Sequence, residues 1–230
     1  MAGVSRLQYS TDIRLIRVMC SGRVDLEFVL RAFSKGIDGV FIGGCRLNEC
    51  NYITHVNYYA LSNVLLCKKI MKHIGLNPER LSIEFMSSGD GLILADVITS
   101  FCKQAEEIGP LGKSEGIDTK ILKFKLEAVS KLIPYIKLVE RERLRVPHKS
   151  EEAYMEFFAS DKFNRLFKDL ILDKLAVSQI VLLLREQPLS TGEMSEKLGL
   201  NLSEISRHMN TSTRHGMVKF DQNEKRYALR

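Results

Sequence analysis

The side chains of this 230-residue chain best suited to chemistry are its thiols. Five cysteines stand at 20, 45, 50, 67 and 102. Cys20 ends the apolar run Ile13 to Cys20, and Cys45 ends the run Gly39-Val40-Phe41-Ile42-Gly43-Gly44. Cys50 follows in the next loop, in a Cys45-x4-Cys50 spacing. In parallel α/β sheets, functional groups gather at the carboxyl ends of the strands, so these three thiols are predicted to converge on one sheet edge. Their neighbours Ser21, Gly22, Gly43 and Gly44 are small. Such residues let the backbone approach a bulky inorganic group and aim amides at its sulfurs. Three chemistries fit the thiols themselves. They could ligate an iron–sulfur cluster, they could join His55 in a Cys3His zinc set, or they could be small buried hydrophobes. Ligation is the reading taken for Cys20, Cys45 and Cys50. Cys67 and Cys102 fall in helical apolar stripes and read as core.

The elements that must position these residues alternate. Ile13 to Cys20 reads as a buried strand, rich in apolar residues. Asp25 can cap a helix whose stripe is Leu26, Val29, Leu30 and Phe33. A strand from Gly39 to Ile42 precedes a helix with Ala60, Val64, Cys67, Met71 and Ile74 on one face. Gly75 closes that helix. Leu81 to Met86 is a third strand, followed by a helix bearing Leu94, Ile98, Phe101, Cys102 and Ala105. The order β-α-β-α-β-α predicts a small parallel sheet in a three-layer α/β fold. Gly109-Pro110-Leu111-Gly112 marks a boundary. Beyond it lies a long helix from Ile117 to about Arg145, with Pro134 predicted to kink or split it. Ser150 starts a further helical stretch. From about 174 the pattern is helix-turn-helix and then a β-hairpin, which predicts a winged-helix-like α+β module. The predicted domains are therefore 1–110, a helical extension 111–173, and 174–230.

The bulk properties narrow the class. Net charge is +6 and the pI is about 9.0, with both signs well mixed. That permits contact with nucleic acid or an acidic partner without requiring either. Arg17, Arg23 and Arg46 flank the cysteines and suggest a cationic rim. No apolar run is long enough to span a bilayer, and no signal-peptide pattern opens the chain, so a cytoplasmic location without membrane contact is expected. In that compartment thiols stay reduced, which argues against a disulfide framework. There is no P-loop, no GxGxxG after a strand and no persuasive acid–base pair, so the expectation is an electron carrier rather than a stand-alone catalyst.

The runs Arg17-Val18-Met19-Cys20-Ser21-Gly22-Arg23-Val24-Asp25, Gly39-Val40-Phe41-Ile42-Gly43-Gly44-Cys45 and Cys50-Asn51-Tyr52 resemble the delta-subunit family of methyl-viologen-reducing hydrogenase. Ala2-Gly3-Val4-Ser5-Arg6 and Asn77-Pro78-Glu79-Arg80-Leu81 fit the same family. The resemblance covers residues 1 to about 110. It implies a 2Fe–2S cluster with Cys20, Cys45 and Cys50 among its ligands. It further implies electron relay between a hydrogenase or formate dehydrogenase and a heterodisulfide-reductase A-like flavoprotein. Family members carry a Cys-x-x-Cys segment and a further strand ahead of the position matching Ala2. No Cys-x-x-Cys occurs here. Since a 2Fe–2S cluster takes four protein ligands, the expectation is that the natural protein is longer upstream; the alternative is a short form that takes its fourth ligand from a partner or binds no cluster.

Leu202-Ser203-Glu204-Ile205-Ser206-Arg207-His208-Met209 resembles the recognition helix of the arsenical-resistance-repressor family of winged helices. That likeness implies DNA contacts for Ser203, Ser206, Arg207 and His208. Asn210-Thr211-Ser212 departs from the family's apolar pattern and predicts a helix that is short or loosely packed there. The winged helix can equally serve as a protein-interaction module, since fold does not fix function. Two alternatives to electron relay stay open: a redox-responsive DNA-binding regulator, and an adaptor protein that holds no metal.

Overall fold

The computed structural model describes residues 8, 10–50, 56–87 and 89–230. Two compact units divide the chain: residues 1–126 with 146–160, and residues 127–145 with 161–230.

The first unit is built on a parallel pair of strands. β1 (Val40–Gly44) and β2 (Leu81–Phe85) lie in register, Val40 opposite Leu81 and Gly44 opposite Phe85. A parallel pair needs a crossover, which α2 (Asn57–Ile74) supplies. The predicted stripe Ala60, Val64, Cys67, Met71 and Ile74 is fully buried along it. Gly75, at φ 91°, ends the helix in the left-handed conformation that glycine adopts without a Cβ clash. Before β1, α1 (Leu26–Ser34) is capped by Asp25, which accepts from the Glu27 amide at 3.1 Å. After β2, α3 (Gly91–Ile108) buries Ala95 and Ile98 and leaves Leu92 and Ile93 exposed. α5 (Glu151–Ala159), capped by Ser150, also belongs to this unit and stacks Tyr154 on Tyr58 at 5.4 Å.

The architecture of a small parallel sheet, a helical stretch and a winged-helix-like module is the predicted one. The first strand is a correction. Residues 13–20 form no strand among the described residues, and Leu15, Ile16 and Met19 are 70%, 83% and 92% exposed. An apolar pattern favours a strand only when a neighbour accepts its backbone ladder and covers a face. Neither β1 nor β2 does so for this run.

α4 (Thr119–Arg143) is one helix that runs through Pro134, so the predicted split does not occur. Pro134 lies on the exposed side of the helix, where a missing ladder amide is tolerated more readily than in a packed interior.

The second unit continues with α6 (Asp161–Phe167), a π-helical turn over 168–172, and α7 (Asp173–Glu186). Then come α8 (Thr191–Leu198), α9 (Leu202–Arg214) and the antiparallel hairpin β3 (Val218–Asp221) and β4 (Arg226–Leu229). Both short helices open with a capping box, Ser190 with Glu193 and Asn201 with Glu204. Ile180, Leu184, Leu189, Met194, Ile205, Met209 and Val218 form the core they enclose. The predicted loosening at Asn210-Thr211-Ser212 is not found, since α9 continues to Arg214. Thr211 and Thr213 return their hydroxyls to the carbonyls of Arg207 and Met209 at 3.0 and 2.8 Å, and Ser212 is small enough to be buried.

Candidate metal centre

The thiol site is assembled from three chain segments. A turn of 3-10 helix over Ser21–Arg23 presents Cys20 and Ser21. Its amides close the turn, Arg23 onto the Cys20 carbonyl at 3.0 Å and Val24 onto the Ser21 carbonyl at 2.9 Å. Gly22 packs so closely that a Cβ there would lie 2.5 Å from the Val56 carbonyl oxygen, so only glycine fits. β1 delivers Gly43 and Gly44 and then Cys45. The loop after it returns Cys50. Together with Val18 and Met19 these residues line one cavity of about 240 Å³.

The loop carrying Cys45 is held from two sides. Asn57, fully buried at the start of α2, donates to the carbonyls of Cys45 and Arg46 at 3.2 and 2.8 Å. Tyr58 donates to Asn48 Oδ1 at 3.1 Å, and Asn48 itself adopts φ 67°. On the other side Arg46 pairs with Asp90 at 2.7 Å, just before α3. Asp90 also accepts from the Ser87 amide, and this bond, with Arg46 beside it, holds the carboxyl below the usual carboxylate range. Asn57, Tyr58 and Asp90 were not singled out from sequence. An Asn or Asp near a helix start signals a cap, not the loop it grips. Arg46 is therefore engaged in the fold, while Arg17 and Arg23 are exposed.

Cys50 lies close enough to Cys45 to act on its thiol. Partial burial first, then Cys50 and Cys20 nearby, push the Cys45 thiol pKa above its ordinary value. Like-charged thiolates resist forming side by side, and a bound cation would relieve that. Ser21 adds a second unresolved demand. Its hydroxyl oxygen is buried and has no hydrogen-bond partner among the described residues. Leaving such a group unpaired costs about 1–3 kcal/mol. Soft donors, a cavity that glycines keep open and an orphaned hydroxyl suit an iron–sulfur group in chemistry. In number they are short of four. Among the described residues no three His, Cys, Asp or Glu side chains stand in a geometry that could hold a metal ion. His55, the predicted alternative zinc ligand, lies outside the described residues, as do Asn51, Tyr52 and the run from Ala2 to Arg6. Cys67 is buried, its thiol pKa pushed up to about 12 by burial alone, and Cys102 is half-buried.

In the winged-helix-like unit, Ser203 and Arg207 are exposed, Ser206 is half-buried and His208 is buried. Arg207 pairs with Asp173 at 2.8 Å. Burial first, then the Arg207 charge, lowers the His208 pKa. Ser206 also lines an open cavity of about 620 Å³ with Thr191, Phe220, Lys225 and Tyr227. Among the described residues no helix is long and apolar enough to cross a membrane.

The fold and the thiol cavity define a class: a small parallel α/β domain with cysteines at the carboxyl edge of its sheet, followed by a winged-helix-like module. The chain belongs to the family of the delta subunit of methyl-viologen-reducing hydrogenase. Residues 1–109 match that family's model. The iron-sulfur subunit of an F420-non-reducing hydrogenase from Archaeoglobus profundus is 41% identical over 110 residues, covering 48% of this chain and 80% of that protein. The iron-sulfur subunit of the vhu F420-non-reducing hydrogenase from Methanococcus maripaludis is 38% identical over 110 residues, 48% of this chain and 81% of its own length. A component of the ferredoxin:CoB-CoM heterodisulfide reductase from Methanosarcina mazei is 47% identical over 112 residues, 49% of this chain. The match spans only 14% of that much longer relative. Residues 176–218 match the model of the bacterial regulatory protein arsR family.

Proposed function

We propose that this chain is an electron-transfer subunit of a cytoplasmic oxidoreductase complex. It relays electrons between a hydrogenase or formate dehydrogenase type partner and a heterodisulfide-reductase A-like flavoprotein. The assignment of residues 1–110 to redox chemistry, 111–173 to a helical extension and 174–230 to a winged-helix-like module is part of this reading. Cys20, Cys45 and Cys50 hold a 2Fe–2S cluster, with a fourth donor beyond these three. The observation that carries the reading is the convergence of the three thiols on one glycine-lined cavity at the end of β1. The similarity to proteins named as iron–sulfur subunits of hydrogenases supports it. A bound 2Fe–2S cluster supplies one-electron transfer. The chain's own part is to fix the thiols: Asn57 and Asp90 hold the Cys45 loop, and the turn at Gly22 holds Cys20.

Iron and labile sulfide per chain, after reconstitution with ferrous iron and sulfide, test this reading. Cluster content near one per chain, lost in Cys45→Ser, is the expected result. Repeating the assay on a chain extended at its amino end tests whether the fourth donor lies there, and equal cluster content with and without the extension would place it elsewhere. Copurification with a flavoprotein and a dehydrogenase tests the partners. A chain that joins the complex without iron would instead be an adaptor.

A second reading, a redox-responsive DNA-binding regulator, is favoured by exposed Ser203 and Arg207 on a winged-helix unit that matches the arsR family. Ser206 and His208 are the remaining residues it would use. Salt-dependent binding to a promoter fragment, weakened in Arg207→Ala, would support it.

A further inference from the structure

The chain leaves β1 through a closed turn. The Glu49 amide donates to the Arg46 carbonyl at 3.1 Å, and Asn48 takes φ 67°, the left-handed value that the third position of such a turn accepts. Cys45 and Cys50 are the residues just outside that closure, one on each side. The turn is anchored before any ligand arrives. Asn57 donates to the carbonyls of Cys45 and Arg46, Tyr58 donates to Asn48, and Arg46 pairs with Asp90. A four-residue turn holds its ends within about 7 Å. A disulfide spans Cα atoms about 4.4–6.8 Å apart. Both thiols line the same cavity, and Cys50 is close enough to act on Cys45. The other cysteines are placed differently. Cys20 precedes a separate turn, while Cys67 and Cys102 belong to α2 and α3.

We propose that Cys45 and Cys50 form a reversible disulfide across the Arg46–Glu49 turn, driven by exchange with a small-molecule disulfide. The pair goes beyond the electron-relay reading, because it requires no metal. Cys45 is exposed and Cys50 half-buried, so the oxidant meets Cys45 first. The Cys45 thiolate attacks one sulfur of the oxidant, forming a mixed disulfide and releasing one thiolate. Cys50, held across the turn, then attacks the Cys45 sulfur, closes the internal bond and releases the second thiolate. The two cysteines together lose two electrons and two protons, and the oxidant becomes two thiols. Because the turn already brings the two residues together, closure needs little backbone movement. Where thiols are kept reduced, such bonds are transient and serve sensing rather than structure. In the oxidised form Cys20 is the one thiol left lining the cavity.

The test equilibrates the full, metal-free chain with mixtures of oxidised and reduced glutathione. Free thiols are then alkylated in denaturant and assigned by mass spectrometry. As the mixture becomes more oxidising, free thiols should fall by two from the five in the sequence. Cys45 and Cys50 should lose alkylation together, the chain mass should drop by two hydrogen atoms, and excess dithiothreitol should restore both. In Cys50→Ser the glutathione adduct at Cys45 should persist, because the resolving thiol is gone. Cys20 bonded to either residue in the wild type would overturn the pairing. A wild type that stops at glutathione adducts, or that keeps all its thiols free, would overturn the proposal outright. Iron uptake by the reduced chain is scored separately. Its failure would remove the cluster reading and leave the disulfide standing, whereas failure of the disulfide leaves the cluster reading untouched.

Discussion

Arg80 and Glu115 form a buried bidentate ion pair, Nε to Oε1 at 2.6 Å and Nη2 to Oε2 at 3.1 Å. Arg80 is completely buried and spends its remaining donors on the carbonyls of Asp38, Gly109 and Pro110. The segment after α3 is thus fastened to the start of β2 and to the loop before β1. Asp38 reinforces this by accepting from the Leu111 amide at 2.7 Å.

Removing one partner strands a charge in the interior. Arg80→Ala should destabilise the chain by about 3–5 kcal/mol in urea unfolding. The double change Arg80→Met with Glu115→Leu should cost less than Arg80→Ala, because no uncompensated charge remains. A double change as costly as the single one would show that packing, not charge, is the dominant contribution.

The same pair predicts an acid response. Burial pushes the Glu115 carboxyl up, but hydrogen bonds from Arg80 and from the Asn77 and Gly112 amides outweigh it and hold its pKa below the ordinary value. A depressed carboxyl contributes stability that is fully present above its unfolded pKa, about 4.3. That contribution is lost as pH falls through the lower folded value. The stability gap between wild type and Glu115→Gln should therefore be largest near neutrality and close below about pH 4. Denaturant melts taken across that range read it directly.

Asn57 fixes the backbone on either side of the Cys45 carbonyl, so its side chain connects α2 to the redox loop. Asn57→Ala leaves two carbonyls without donors and should cost about 1–3 kcal/mol. Iron bound per chain on reconstitution should fall with it. Unchanged iron content would mean that the loop keeps its shape without Asn57.

Gly22 and Gly44 differ in what a methyl group would meet. At Gly22 the obstacle is the Val56 backbone carbonyl, 2.5 Å away, whereas at Gly44 it is the Ser21 hydroxyl and the Phe85 ring at 2.9 and 3.0 Å. Side chains can give way more readily than backbone. Gly22→Ala should therefore lower the melting temperature more than Gly44→Ala, with a cost of about 1–3 kcal/mol from overpacking.

Thiol reactivity should separate the cysteines. Cys45 is exposed, whereas Cys67 is fully buried with its pKa pushed up to about 12. Brief alkylation of the native metal-free chain near pH 8, read by mass spectrometry, should label Cys45 and spare Cys67. Labelling of Cys67 at a comparable rate would show that α2 opens locally.

Local pattern made much of this protein legible. Helical periodicity placed Ala60, Val64, Cys67, Met71 and Ile74 on the buried face of α2, because one face of a helix repeats every three or four residues. Asp25, Ser150 and Gly75 marked helix ends through chemistry that is itself local. Cys45 and Cys50 could be placed just beyond β1 because functional groups gather where parallel strands end, whereas Cys20 reaches the same cavity from a 3-10 turn and not from a strand end.

Long-range pairing was not legible in the same manner. Residues 13–20 carry the composition of a strand, yet a strand exists only where another backbone completes its ladder. No residue type encodes that neighbour. The grip of Asn57 on the Cys45 loop, the burial of Arg80 on Glu115 and the orphaned hydroxyl of Ser21 all join positions distant in sequence. By itself the sequence determined the helices, the order of the elements from α1 onward and the thiols available for chemistry, since these follow from spacing and side-chain type. Only the tertiary structure decided which polar groups are paired and which buried hydroxyl is left without a partner among the described residues, because a hydrogen bond depends on where two segments meet in space.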